Sequence, residues 1–277
     1  MTAVQQPPSA AVAGGMRPGF AAARARLGLV AALFALAGAG WWWSVERMRG
    51  MDQGPWSSLG GFGWFLGLWV VMMAAMMFPS IAPTVALYTK MTKARSPLSP
   101  VAFVLGYLVT WAAAGVAAFL LMASVTLAAG DVLDWEKAGR PLAGATLVGA
   151  AVYELTPLKN VCLGKCRSPL GFLLGSWRDG RRGGLRMGME NGAWCVGCCW
   201  ALMASLFALG VMSVIWMGLV AGLIAVEKTL PSQRAVTYGT AAILMAIGVL
   251  LLASPGTVPG LTLPGGNLMP MGVETTP

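Results

Sequence analysis

Long apolar runs, separated by short polar or basic segments, occupy most of the chain. Several reach the roughly 20 residues that a helix needs to cross about 30 Å of hydrocarbon. The pattern predicts helices at about 27–45, 62–88, 100–129, 141–158 and 236–253, and two more between about Ala193 and Leu230 with a tight turn near Ser213. The expected fold is therefore all-α, a polytopic transmembrane bundle of about seven helices.

The two ends of the chain differ from this helical region in composition. Residues 1–16 are rich in Pro, Ala and Gly and are predicted to be a disordered tail, and residues 254–277 form a Gly/Pro-rich outer tail. Residues 17–253 are predicted to form the transmembrane domain. The basic flank and small residues of the first helix also fit a cleaved signal peptide, but the tryptophans at 41–43 favour a retained anchor.

Lysines and arginines between the apolar runs predict the orientation of the chain. Placing the N-terminus inside and the C-terminus outside puts 15 of them on the inner side: Arg17, Arg24, Arg26, Lys90, Lys93, Arg95, Lys159, Lys165, Arg167, Arg178, Arg181, Arg182, Arg186, Lys228 and Arg234. Only four lie outside: Arg47, Arg49, Lys137 and Arg140. The positive-inside rule therefore predicts an N-in, C-out, multi-pass protein of the inner (plasma) membrane.

Composition supports lipid as the main partner. Hydrophobic residues make up 57% of the chain and charged residues 10%, and the mean hydropathy is +0.71, whereas soluble domains carry about 25% charged residues. The net charge of +9 follows from the topology and does not indicate a nucleic-acid partner. Histidine is absent, which removes the commonest metal ligand and general base. Without a phosphate-binding loop, dinucleotide motif or hydrolase triad, the sequence disfavours a soluble enzyme.

Five cysteines form two groups that the topology places at the cytoplasmic ends of neighbouring helices. One group lies in CLGKC and the other in CVGCCW: Cys162 and Cys166, and Cys195, Cys198 and Cys199. Because the cytoplasm is reducing, thiols gathered there are more often metal ligands or redox centres than disulfides. Basic residues nearby, Lys159 among them, would favour the thiolate form. We expect one five-thiol metal cluster; the alternative is that the cysteines pack helix interfaces.

Methionines supply a second candidate site for a soft metal. Met72 and Met76, and likewise Met73 and Met77, are spaced i,i+4 on the second helix, ahead of two prolines, and Met203 follows Cys199 by four residues. Thioether and thiolate sulfur together suit Cu(I). The alternative is that methionine fills gaps between apolar helices.

One acidic residue, Glu154, lies inside a predicted spanning segment. A carboxylate in that position is costly and is a functional candidate by default, so it joins the predicted metal site. The alternative is that it reaches the inner interface or pairs with Lys159 or Arg186. Glu227, beside Lys228, is interpreted as an interface pair. The stretch 168–177 is too short to span and is predicted to lie at the membrane interface.

Three segments carry a family resemblance: WVVMMAAMMFPSIAPTV, YELTPLKNVCLGKCRSPLGFL and GAWCVGCCWALMASLFALGVMSVIWMGLVAGLIAVEK. Over about residues 55–253 the chain resembles the DUF2182 family, bacterial multi-pass proteins described as predicted metal-binding integral membrane proteins. The resemblance implies a helical membrane fold and metal binding. It also implies a histidine before the cysteine cluster, where this chain reads Glu190-Asn191-Gly192. The chain either has fewer ligands or uses Glu190 instead.

The combined interpretation is a membrane protein that binds a soft metal ion, expected to be Cu(I), near the cytoplasmic face. It would act in metal handling, transfer or transport. Two alternatives stay open at this point. One is a membrane thiol oxidoreductase that uses cysteine pairs, and the other is a solute transporter with structural cysteines.

Overall fold

The structure, a computed structural model, describes residues 11–48, 61–92, 98–129, 139–209, 214–230 and 233–253. All regular secondary structure within these ranges is helical, as the sequence predicts. The helices are α1 Ala11–Met48, α2 Phe62–Thr92, α3 Ser99–Ala129, α4 Arg140–Glu154, α5 Pro157–Arg167, α6 Pro169–Gly175, α7 Gly180–Leu209, α8 Val214–Thr229 and α9 Gln233–Ala253.

Five of these helices are long and apolar enough to cross a membrane: Leu27–Arg47, Phe62–Thr92, Ser99–Ala128, Gly180–Leu209 and Arg234–Ala253. The described parts of α4 and α8 have 15 and 16 residues, about 22–24 Å at 1.5 Å per residue. The number of spans and the N-in, C-out orientation stay predictions.

Several boundaries differ from those predicted. α1 begins at Ala11, inside the segment predicted to be a disordered tail, and residues 1–10 and 254–277 lie outside the described ranges. The fourth predicted helix ends at Glu154 rather than near Leu158. Pro157 explains this break, because the ring disfavours helical backbone at the preceding residue and suits the first position of a new helix, here α5.

The fifth predicted helix begins much earlier than expected. α7 starts at Gly180, not near Ala193, so the basic stretch up to Arg186 is helical. Gly180 has φ of +77°, a left-handed conformation that glycine adopts without a steric penalty. The turn there lets the short α6 lead into α7.

The chain folds into two compact units. The first comprises the described parts of Met1–Trp43, Gly67–Gly115 and Gly164–Val196. Within it α2 and α3 run antiparallel: the indole Nε1 of Trp69 donates to the carbonyl of Trp111 at 2.8 Å, and the rings of Tyr88 and Phe103 lie 5.3 Å apart. The methionines of α2 lie in the core of this unit.

Glycines bring α3 and α7 into backbone contact in the first unit. A Cβ on Gly106 would collide with the carbonyl of Leu185, and one on Gly188 with the carbonyl of Phe103. The hydroxyl of Thr110 donates to the carbonyl of Met189 at 3.0 Å along the same line. Small residues allow such close crossings of apolar helices. We call this contact the α3–α7 seam, and it positions side chains of the site described below.

The second unit comprises the described parts of Ser44–Leu66, Val116–Leu163 and Gly197–Pro277. α4 and α9 pack antiparallel in it, since a Cβ on Gly144 would meet Leu252 and one on Gly248 would lie 3.1 Å from the Cβ of Leu147. Gly218 and Gly222 on α8 have the small-xxx-small spacing that allows close helix packing, yet a Cβ on either would meet no described neighbour within 4 Å.

Candidate metal centre

Three thiols come together in the described structure. The Sγ atoms of Cys166, Cys195 and Cys198 all lie within 4.8 Å of one another. Cys195 and Cys198 are three residues apart on α7, so the helix itself places them on one face. Cys166 comes from the last turn of α5 and is half-buried, whereas Cys195 and Cys198 are 1% exposed.

The spacing of these thiols fits a metal ion. Three sulfurs bound at about 2.3 Å around one ion lie about 4.0 Å apart when the arrangement is trigonal. The observed limit of 4.8 Å leaves small side-chain rotations to close the triangle. Thiolate sulfur selects soft ions such as Cu(I) or Zn²⁺ over Mg²⁺ or Ca²⁺. The three-cysteine group can therefore hold a soft cation.

Two further side chains of the first unit contact the sulfur of Cys195. The thiol lies 4.0 Å from the Sδ of Met77, to which it donates, and 3.0 Å from the hydroxyl oxygen of Tyr107. Met77 and Tyr107 are both fully buried. The centre thus has a buried thioether and a buried phenol beside the thiol of Cys195.

Sequence reasoning missed Tyr107. It lies in the apolar run of α3, next to Gly106, and only the α3–α7 seam brings its hydroxyl to Cys195. A phenol inside an apolar helix needs a hydrogen-bond partner, so its presence in VAFVLGYLVTW is the signal that could have marked it.

The other two cysteines do not join the three-thiol group. Cys199 is buried and its Sγ lies 3.3 Å from that of Cys198, while Cys162 lies against Gly197, where an added Cβ would be 2.9 Å from its Sγ. Burial raises the pKa of the Cys162 thiol, contrary to the expected thiolate. All five cysteines are reduced. Three form the close group, Cys199 contacts it through Cys198, and a single five-thiol cluster stays a prediction.

The predicted methionine ligands are all buried. Met72, Met73 and Met76 lie on α2 with Met77, and Met203 lies on α7. Met77 contacts Cys195 directly. The metal-binding roles of Met72, Met73, Met76 and Met203 stay predictions.

Glu154 is engaged in an ion pair. Its Oε2 accepts a hydrogen bond from the Nζ of Lys159, one of the two pairings that the sequence left open. Lys159 also donates to both carboxylate oxygens of Glu227, at 2.9 and 2.7 Å. Glu227 is 3% exposed and binds Lys159, a partner that its interpretation as an interface pair beside Lys228 did not include. Lys159 is accordingly committed to carboxylates rather than to a thiolate.

Glu190, the residue in the position of the implied histidine, does not belong to the three-thiol group. Its carboxylate accepts a hydrogen bond from the hydroxyl of Ser176 at 2.9 Å and lies 3.9 Å from the guanidinium of Arg178. The sequence left two possibilities, a site with fewer ligands or Glu190 in place of the histidine. The geometry favours a site with fewer ligands.

Comparison with known proteins gives one family. A family model described as PpoB2, a copper chaperone, matches residues 66–251. The match covers both cysteine groups and the methionines of α2. The searches of curated proteins and of solved structures gave no match.

Proposed function

The chain belongs to the PpoB2 copper chaperone family, and on that premise we propose that it is a membrane protein which binds Cu(I) as cargo and hands it on. The proposed ligands are the thiolates of Cys166, Cys195 and Cys198. Glu154 is left out of this ligand set because Lys159 binds it. The more specific resemblance to DUF2182 stays part of the proposal, as does the inner-membrane location.

The observation that carries the proposal is the meeting of three thiols within 4.8 Å beside a buried thioether. A trigonal thiolate set binds Cu(I) well because both partners are soft. Cu(I) also tolerates low coordination, so a site with three thiols needs no histidine. One half-buried ligand, Cys166, gives the ion a side from which a partner can approach.

Apolar surface supports the membrane part of the proposal. α3 exposes large apolar side chains along its length, with Leu121 67% and Leu127 90% exposed. Exposed apolar patches of this kind mark contact with lipid or with another protein. The helices that carry these apolar side chains are also long enough to span a membrane. The distribution of Lys and Arg between the helices supports the N-in, C-out orientation.

The methionines of α2 are proposed as a second set of soft ligands. Met77 is the natural first step, since its Sδ lies 4.0 Å from the Sγ of Cys195. Met73 is one turn before it on α2 and fully buried. A row of thioethers would let Cu(I) leave the thiols without meeting water, because the ion would exchange one sulfur ligand for another.

The proposal is tested by titrating detergent-purified protein with Cu(I), without oxygen, against a chromogenic Cu(I) chelator. Cys195→Ser should lose most of the affinity, and Met77→Leu should weaken it while folding is kept, since Leu is close to Met in volume. Cys162→Ser and Met217→Leu, a buried methionine on α8 outside the proposed ligand set, are the matched controls. Equal affinity in all variants would contradict the site and favour structural cysteines.

A further inference from the structure

Three ionisable side chains, none of them a proposed copper ligand, are buried together in the second unit. Glu154 at the end of α4 and Lys159 on α5 are 0% exposed, and Glu227 on α8 is 3% exposed. The Nζ of Lys159 donates to both oxygens of Glu227 and to Oε2 of Glu154. We call this group the Glu–Lys–Glu triad.

The charges of the triad do not balance. With every member ionised, two carboxylates face one ammonium, and one negative charge is left over. Leaving a buried charge uncompensated is costly, and a buried group commonly changes its protonation state instead. Two carboxylates that share one site also cannot both ionise easily.

Hydrogen bonding indicates which carboxylate takes the proton. Both oxygens of Glu227 accept from Lys159, which stabilises the ionised form. In Glu154, by contrast, Oε1 is buried and accepts no hydrogen bond from the described residues. Glu227 is thus the counter-ion of Lys159, and Glu154 is the member whose charge is poorly compensated.

No described polar group other than Lys159 compensates the charge of Glu154. Lys159 and Glu227 are the charged groups that act on Glu154. The phenol of Tyr153 lies near Lys159 and near the thiols of Cys162 and Cys198. Its hydroxyl donates its one proton to the carbonyl of Gly197 at 2.6 Å, so it donates no hydrogen bond to the triad. Among the described residues no second cation acts on Glu154, so compensating its charge requires a cation from outside them.

We propose that Glu154 is a buried proton-binding site and carries a carboxylic-acid proton at neutral pH. The proton comes from solvent and binds a carboxylate oxygen of Glu154, and the charge of the triad rises from minus one to zero. No other bond is made or broken, and Lys159 keeps its ammonium. Because Lys159 contacts both carboxylates, a proton can be relayed between Glu154 and Glu227 across α4, α5 and α8.

The experiment is infrared difference spectroscopy of the full-length, detergent-purified protein at neutral pH, with the carboxylic-acid C=O band identified by its shift in D₂O. Wild type should show one such band, and Glu154→Gln should lose it. Lys159→Met should raise its intensity about twofold, because neither carboxylate then has a cation. The exposed Glu46→Gln is the control and should leave the band unchanged.

Two results would overturn the proposal: the absence of the band in wild type, or its persistence in Glu154→Gln. Glu227→Gln is the second variant. It should also lose the band, because Lys159 then takes Glu154 as its ionised counter-ion, and persistence there would count against the proposal. Copper affinity measured on the same samples keeps this question separate from the chaperone function, since no proposed copper ligand is altered.

Discussion

Cys195 is the residue on which the proposed copper site depends most, because a phenol hydroxyl and a thioether sulfur both contact its thiol. The hydroxyl of Tyr107 lies 3.0 Å away and the Sδ of Met77 4.0 Å away. Cys195 is also one of only two ligands that a single helix presents together. Changes at its neighbours should therefore be felt at the metal.

Tyr107→Phe should lower the Cu(I) affinity about tenfold, with the protein still folded. A hydrogen bond to a thiolate is charge-assisted and stronger than one to a neutral thiol, and a difference of about 1.4 kcal/mol corresponds to a factor of ten. Competition against a Cu(I) chelator measures it. The exposed Tyr238→Phe serves as control. An unchanged affinity in Tyr107→Phe would show that the phenol only fills space.

Sequence reasoning went furthest at single residues where spacing alone decides geometry. The i,i+3 relation of Cys195 and Cys198 follows from helical periodicity, and the structure brings both into the three-thiol group. Periodicity could not separate Cys162 from Cys166, which are four residues apart on α5. Their different surroundings are a tertiary effect, since Cys162 lies against Gly197 whereas Cys166 meets Cys195 and Cys198.

At the scale of helices, the α3–α7 seam decides where Tyr107 and Cys195 meet. The apolar runs predicted the helices well, because long runs of this kind leave few alternatives. The apolar runs did not predict the seam, because the position of a glycine in an apolar helix does not show which helix packs against it. The small-xxx-small spacing of Gly218 and Gly222 is typical of close packing, yet both face open space.

Gly188→Ala should destabilise the fold by about 1–3 kcal/mol, the usual cost of overpacking, because its Cβ would meet the Phe103 carbonyl, a backbone atom that cannot rotate away. Copper affinity should fall too, as α3 moves from α7. Thermal unfolding followed by circular dichroism measures the first effect. Gly218→Ala is the matched control and should be neutral or stabilising, since Ala favours helix by up to about 1 kcal/mol. Equal unfolding midpoints would refute a tight seam.

At the scale of the whole molecule, the distribution of charge predicts the side on which copper is bound. The segment that carries Cys166 lies among the basic residues that the positive-inside rule predicts to face inward. Reporter fusions after Arg186 should therefore read as cytoplasmic, and fusions after Ala253 as external. A membrane-impermeant thiol reagent added to intact cells should leave Cys166 unmodified. Rapid external labelling of Cys166 would reverse the orientation and move the copper site to the opposite face.

The most direct test of copper binding by the three thiols is copper X-ray absorption on the Cu(I)-loaded protein. The arrangement of Cys166, Cys195 and Cys198 predicts one copper per chain, with about three sulfur neighbours at about 2.3 Å, the usual metal–thiolate distance. Cys198→Ser should reduce the sulfur shell, whereas Cys162→Ser should leave it intact. A loaded protein whose copper has mainly nitrogen or oxygen neighbours, or a sulfur shell unaffected by Cys198→Ser, would contradict the proposed site.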